Sequence, residues 1–239
     1  MNLILFEAGE TLDPLRRTDP RAVHLLDVLR RKPGDSFDAG IVNGPRGRGR
    51  LELVEPDHLQ ISFIWGQAPP ALEPLTLLVG LPRPQTARDI LRDATTLGVA
   101  RLVFASAGRT ESGYAESSLW RDGGWRRHLL DGAAQAFDTR VPEVTHGVEL
   151  AKAVSGLPAH GTRLALDNYE ATVALMDAVT PGSEPLVLAI GPERGWTADD
   201  RELLHTNGFT LASLGHRVMR TETAAAAAIT LAKARRGWL

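Results

Sequence analysis

The sequence contains no cysteine. That excludes disulfides, thiolate nucleophiles and cysteine-type zinc sites, and it fits a reducing compartment. Lysine is almost as scarce: Lys32, Lys152 and Lys233 are the only lysines among 27 basic residues. The formal net charge is -2, so no global basic signature for nucleic acid is present. No apolar run approaches membrane-spanning length, and no charged-then-apolar leader opens the chain, so a soluble cytoplasmic protein with no membrane partner is expected. The G-x-x-x-x-G-K-S/T phosphate loop, the G-x-G-x-x-G fingerprint and the H-E-x-x-H zinc motif are all missing. His24, His58, His128, His146, His160, His205 and His216 show no metal-ligand spacing, and no metal is expected.

What is present divides in two. At 239 residues the chain can hold one large or two small domains. A short apolar strand at 3–6 precedes a helix capped by Asp19-Pro20, whose buried face is expected from Val23, Leu25, Leu26, Val28 and Leu29. Strand-like segments at 36–42, 49–54 and 59–64, separated by tight turns, predict a small β-barrel. Residues 16–50 carry nine basic against four acidic residues. The densest part, Arg46-Gly-Arg48-Gly-Arg50, reads either as a loop meeting RNA phosphates or as a solvated hairpin tip. Residues 66–74, rich in proline and alanine, read as a linker.

Beyond it strands and helices alternate, the pattern of an α/β domain. Strands are expected at 75–81, 102–105 and 164–166, and helices at 86–97, 119–137 and 170–179. The chain then reaches its most informative stretch, 186–228. A continuous apolar run, Leu186 to Ile190, predicts a buried strand. It stops at Gly191-Pro192-Glu193-Arg194-Gly195. Thr197 caps a polar helix with Asp199 and Asp200 behind it. A second short strand, 209–214, runs into Gly215, and a long helix starts near Thr221. Strand ends that run into glycine turns before helices are where α/β sheets bind ligands. Gly191 and Gly195 let backbone approach a ligand closely. Both turns also carry charges that a plain connector does not need: Glu193 and Arg194, then Arg217, Arg220 and Glu222.

The blocks Gly191-Pro-Glu-Arg-Gly195 and Leu214-Gly-His-Arg-Val-Met-Arg220-Thr-Glu-Thr-Ala224 together resemble the SPOUT class of RNA methyltransferases. Within that class the chain resembles the RsmE family, which methylates N3 of a uridine in small-subunit ribosomal RNA. His24 to Arg30 with Gly34-Asp35, Leu81-Pro-Arg83, Leu97-Gly-Val99, and Gln135 with Arg140-Val-Pro142 fall where that family has similar blocks. The resemblance implies a PUA-like RNA-binding barrel over 1–70 and a trefoil-knotted SPOUT domain over 73–239. It implies S-adenosylmethionine bound mostly by backbone, at Leu166, Ile190, Gly191, Pro192, Glu193, Gly195, Leu214, Gly215, Val218, Met219, Arg220 and Thr223. It further implies a homodimer acting on 16S ribosomal RNA or the small ribosomal subunit, with Arg30, Arg46, Arg48, Arg50 and Arg83 as RNA contacts. The chain departs from the family pattern at Arg83 (commonly lysine), Thr96 and Ala134 (glutamate) and Arg194 (glycine). Its opening, 1–6, lacks the arginine usual there. The first strand of the second half ends in Leu81-Pro-Arg-Pro84 rather than in the glycine-rich turn of a Rossmann-type methyltransferase.

Methylating N3 of a uridine requires loss of the N3 proton and a base taken out of its stack. Glu193, Arg220 and Glu222 are the candidate catalytic groups, Arg220 as stabiliser of the uracil anion. Arg220 and Glu222 also read as a structural ion pair at a helix start. A methyltransferase of the same fold acting on another RNA, and an RNA-binding module without catalysis, are the competing readings.

Overall fold

The computed structural model describes residues 3–239, so Met1 and Asn2, part of the arginine-free opening, lie outside the described residues. The chain forms two compact units. One comprises the chain up to Ala71 together with Ala133–Val141; the other comprises Leu72–Gly132 and Pro142–Leu239.

In the first unit β1 (Ile4–Phe6), β2 (Leu15–Arg16), β3 (Ser36–Ile41), β4 (Arg46–Val54) and β5 (His58–Trp65) form one sheet in the order β1-β3-β4-β5-β2. The β1–β3 pair is parallel and the rest antiparallel. The helix expected after Asp19-Pro20 is shorter than its apolar spacing implied. Asp19 caps α1 (Pro20–Val23) by accepting from the Arg21 N–H at 2.8 Å, and the chain then widens into a π-helical turn, His24–Val28. The wider turn rotates the side chains. Leu25 is buried and Leu26 and Leu29 are half-buried, but Val23 and Val28 face solvent, Val28 at 64% exposure. The Arg21 guanidinium hydrogen-bonds both Asp19 and Glu10 and holds each carboxyl below its ordinary range.

Arg46–Arg50 is neither a loop nor a hairpin tip. It is the first half of β4, paired on both edges. The three arginines share one face and are exposed, and the two glycines take the other. A Cβ at Gly49 would lie 2.4 Å from the Phe37 ring, and one at Gly47 would lie 2.1 Å from the Ile64 carbonyl oxygen. Gly49 is therefore what lets the buried Phe37 fill the space under β4 beside Phe6, Leu51 and Leu59, and Gly47 is what lets β5 approach β4 closely. The segment read as a linker is also tied down within this unit. The Arg140 guanidinium donates to the carbonyls of Pro69 (2.8 Å) and Pro70 (3.3 Å).

The second unit is built on seven strands: β6 (Leu75–Gly80), β7 (Arg101–Ser106), β8 (Glu143–Glu149), β9 (Thr162–Leu166), β10 (Val173–Ala174), β11 (Leu186–Ile190) and β12 (Thr210–Ser213). All pairings are parallel, in the order β10-β12-β9-β11-β6-β7-β8. Every residue of β6 and β11 is buried, as expected for central parallel strands covered on both faces. The helices are α2 (Pro84–Thr96), α3 (Ser118–Arg121), α4 (Trp125–Gln135, whose last three residues belong to the first unit), α5 (Leu150–Ser155), α6 (Leu175–Ala178), α7 (Ala198–Thr206) and α8 (Thr221–Arg236).

Two expected helices are corrected. The 119–137 helix is broken into α3 and α4 at Asp122-Gly123-Gly124, with Gly123 at φ +71°. Consecutive glycines cost more helix stability than the flanking apolar spacing supplies. The 170–179 helix is reduced to α6. The Asp167 carboxylate takes the N–H groups of Tyr169 and Glu170, both at 2.7 Å, and Val173–Ala174 pair with β12 instead. Strand β8 and helix α5 had no counterpart in the sequence reading. Strand β8 is polar, half-exposed and interrupted at Gly147 (φ +70°), where its register against β7 shifts.

Candidate functional site

A cleft of about 170 Å³ lies beyond the carboxyl ends of three adjacent strands, β12, β9 and β11. Its floor is the turn after β11. There the Gly195 N–H donates to the Pro192 carbonyl at 2.8 Å, and Gly195 takes φ +69° with open space where a Cβ would stand. Gly191 is tight: a Cβ there would come within 3.1 Å of the Gly195 backbone and of the Trp196 nitrogen. The turn rests directly on β6, because a Cβ at Gly80 would lie 2.5 Å from the Pro192 ring. Buried Trp196 ties it to β9 through an Nε1–H bond to the Leu166 carbonyl at 3.1 Å.

Behind the turn, Thr197 and Asp200 form the reciprocal cap of α7. The Asp200 carboxylate also accepts from the Gly108 N–H of the loop after β7 at 3.2 Å, so the cap doubles as an anchor for that loop.

Leu166, Ile190, Gly191, Pro192, Glu193, Gly195, Leu214, Val218 and Met219 line the cleft. Gly215, Arg220 and Thr223, also expected there, do not. For Arg220 and Thr223 the reason is the phase of α8. Arg220 rather than Thr221 occupies the cap position, and its carbonyl accepts from the Ala224 N–H at 2.8 Å. Thr221 is then the first helical residue and is buried. It and Ala224, three positions on, lie on the cleft side, while Thr223 is turned to solvent. Helical spacing counted from Thr221 would have found Ala224. Asp167, Asn168 and Tyr169, which follow β9 at the same sheet edge, also line the cleft and were missed. They follow a strand end at this edge just as the turns after β11 and β12 do.

The charged candidates separate. The Glu193 carboxylate accepts from the Arg83 N–H at 3.2 Å and lies 3.7 Å from its Nε, at the amino end of α2. Arg83 Nε also donates to Thr86 Oγ1, so both residues are engaged with each other and with the helix start. Arg194 lines the cleft and is exposed. Its guanidinium lies 3.7 Å from Glu111, and its carbonyl accepts from Arg109 at 2.6 Å. Arg220 and Glu222 form no ion pair. Neither side chain has a hydrogen-bond or ion-pair partner among the described residues, with Arg220 exposed and Glu222 half-buried. At the back of the cleft Asp167, its side chain 2% exposed, pairs with Arg201 Nε at 2.8 Å. Among the described residues no cluster of three or more His, Asp or Glu is placed to hold a metal, and no helix is long and apolar enough to cross a membrane.

In the first unit the RNA candidates also differ. Arg46 donates to the Phe137 carbonyl at 2.8 Å and covers that ring, and Arg50 lies 3.8 Å from Glu52. Arg48 and Arg30 are exposed with no partner among the described residues, Arg30 at φ +52°.

The RNA methyltransferase domain family matches residues 69–233. Ribosomal RNA small subunit methyltransferase E of Treponema pallidum is 35% identical over 95% of this chain and 89% of its own length. Among solved structures, a probable rRNA methyltransferase from Porphyromonas gingivalis superposes with TM-score 0.83 at 18% identity, covering 99% of both chains. A ribosomal RNA small subunit methyltransferase E from Neisseria gonorrhoeae, bound to S-adenosyl methionine, gives TM-score 0.77 at 23% identity over 99% of this chain and 98% of that one. These two likenesses extend the shared fold to both units.

Proposed function

The chain belongs to the ribosomal RNA small subunit methyltransferase E family, and from that premise we propose that it transfers the methyl group of S-adenosylmethionine to N3 of a uridine in 16S ribosomal RNA. The observation that carries the reading is the cleft where the glycine turn after β11, the end of β9 and the start of α8 converge. Its residues fit such a cofactor. Gly191 and Gly195 present bare backbone, and Leu166, Ile190, Leu214, Val218 and Met219 offer apolar walls. S-adenosylmethionine supplies an electrophilic methyl group when bound. Arg220, unpaired among the described residues, stabilises the negative charge that the uracil ring gains as it loses the N3 proton. Glu222 is the candidate carboxylate with uncommitted oxygens, whereas Glu193 holds the turn against α2. We also assign to this chain the trefoil knot and the PUA-like character of the first unit. A homodimeric state and a cytoplasmic location complete the assignment.

Incubation with small ribosomal subunits from cells lacking this modification, followed by mass spectrometry of the RNA, is expected to detect N3-methyluridine. Methylation of tRNA alone would favour a different substrate, and failure to bind S-adenosylmethionine in calorimetry would favour a binding module.

For the first unit, Arg48 and Arg50 are the phosphate contacts, because Arg46 is committed to Phe137. Replacing Arg48 and Arg50 with alanine is expected to lower the salt slope of RNA binding by roughly 0.7 per lost contact. The melting temperature and cofactor affinity should not change. An unaltered slope would remove the arginine face of β4 from RNA recognition.

A further inference from the structure

We propose that Tyr169 is a stacking platform for the nucleobase of the RNA substrate that is extruded toward the cleft. This rests on the methyltransferase reading above. Tyr169 follows β9, lines the cleft and is 78% exposed. Among the described residues it is the only Phe, Trp or Tyr that is exposed. An aromatic ring in solvent contributes little to folding, yet this one is held in place. Asp167 accepts from the N–H groups of Tyr169 and Glu170, and its second oxygen accepts from Arg201 Nε at 2.8 Å. Arg201 also lies 3.3 Å from Glu170, and its guanidinium carbon is 5.5 Å from the Tyr169 ring centroid.

A buried ion pair gives little net stability, since two charges must be desolvated to form it. Here it orders an exposed turn and places a cation over one face of the ring, leaving the other face open. A planar base is the ligand such a face takes, and every nucleobase offers a π-face. The base must leave its helix before its N3 can be reached, and a platform at the mouth offsets part of the lost stacking.

The cofactor's adenine is the competing occupant. Arg217, exposed and without a side-chain partner among the described residues, lines the same mouth, whereas the Arg194 cation there is offset by Glu111. Arg217 attracts the phosphates of an RNA strand and repels a sulfonium. The recessed part of the cleft already has apolar walls, with Ile190 only 4% exposed.

The test compares wild type with Tyr169→Ala, Tyr169→Phe and Tyr169→Trp in the full chain. It measures S-adenosylmethionine affinity by calorimetry and methylation kinetics on small ribosomal subunits. Tyr169→Ala is expected to raise KM for the subunit by about tenfold or more, the size of one base–aromatic stack. Cofactor affinity should be unchanged, and Phe and Trp should stay near wild type. Tyr169→Ala with wild-type KM would overturn the proposal, as would a loss of cofactor affinity that accounts for the loss of activity. Wild-type protein that binds the cofactor but methylates no ribosomal RNA would overturn the substrate reading and this proposal together. Normal wild-type methylation with an indifferent Tyr169→Ala would overturn this one alone.

Discussion

Arg220→Ala is expected to lower the single-turnover methylation rate by about two orders of magnitude, as loss of one oxyanion-type donor does. Its melting temperature and its affinity for S-adenosylmethionine should stay at wild-type values. The cause is electrostatic. Arg220 caps α8 without a side-chain capping bond, so its cation sits at the positive end of a sixteen-residue helix. Such a placement is unfavourable unless an anion compensates it. The two candidate carboxylates do not fill that role: Glu193 is engaged with Arg83, and Glu222 makes no contact with Arg220. On the proposed function, the compensating anion comes from outside the chain, as the reacting base or an RNA phosphate. Removing the guanidinium breaks no side-chain bond among the described residues, which is why stability should hold while rate falls. A variant that melts several degrees lower would restore the structural ion pair. A stable variant with a wild-type rate would remove Arg220 from the reaction.

Gly191→Val should reduce S-adenosylmethionine affinity beyond detection by calorimetry. A single Cβ at this position already meets the Gly195 backbone and the Trp196 nitrogen at 3.1 Å, and valine adds two methyl groups to that contact. The turn must open, and overpacking of this kind typically costs about 1–3 kcal/mol of stability as well. Gly195→Ala separates space from conformation. A Cβ there meets nothing within 4 Å, so any loss reflects the φ of +69°, disfavoured for an L-residue by about 1–2 kcal/mol. Gly191→Val is therefore expected to lose the cofactor, and Gly195→Ala to weaken it while remaining folded. Undiminished affinity in Gly191→Val would show that this turn is not the cofactor floor.

Residues whose environment is local were legible before the structure. The run Leu186–Ile190 is continuously apolar because β11 is covered on both faces, and it could be read as a buried strand without knowing its neighbours. The Thr197–Asp200 cap involves two residues three positions apart. The glycine turn after β11 and the charges around it pointed to a site at that sheet edge. The sequence misled where another group, near or far along the chain, competed for the backbone. Asp167 diverts 169–170 from a helix, and pairing with β3 and β5 turns the arginine-glycine segment from a loop into a strand.

By itself, then, the sequence determined the family, the two glycine turns and the strands and caps beside them. These depend on backbone freedom and hydrophobic periodicity within a few residues. Only the tertiary structure decided which turns share one cleft. It placed β9 between β12 and β11, and so brought Asp167 and Tyr169 beside Gly191. It also set the phase of α8, which turns Thr221 and Ala224 inward and leaves Arg220 free at the rim. Strand order and helix phase follow from contacts between residues far apart in the chain, whose energies are summed only when the sheet assembles.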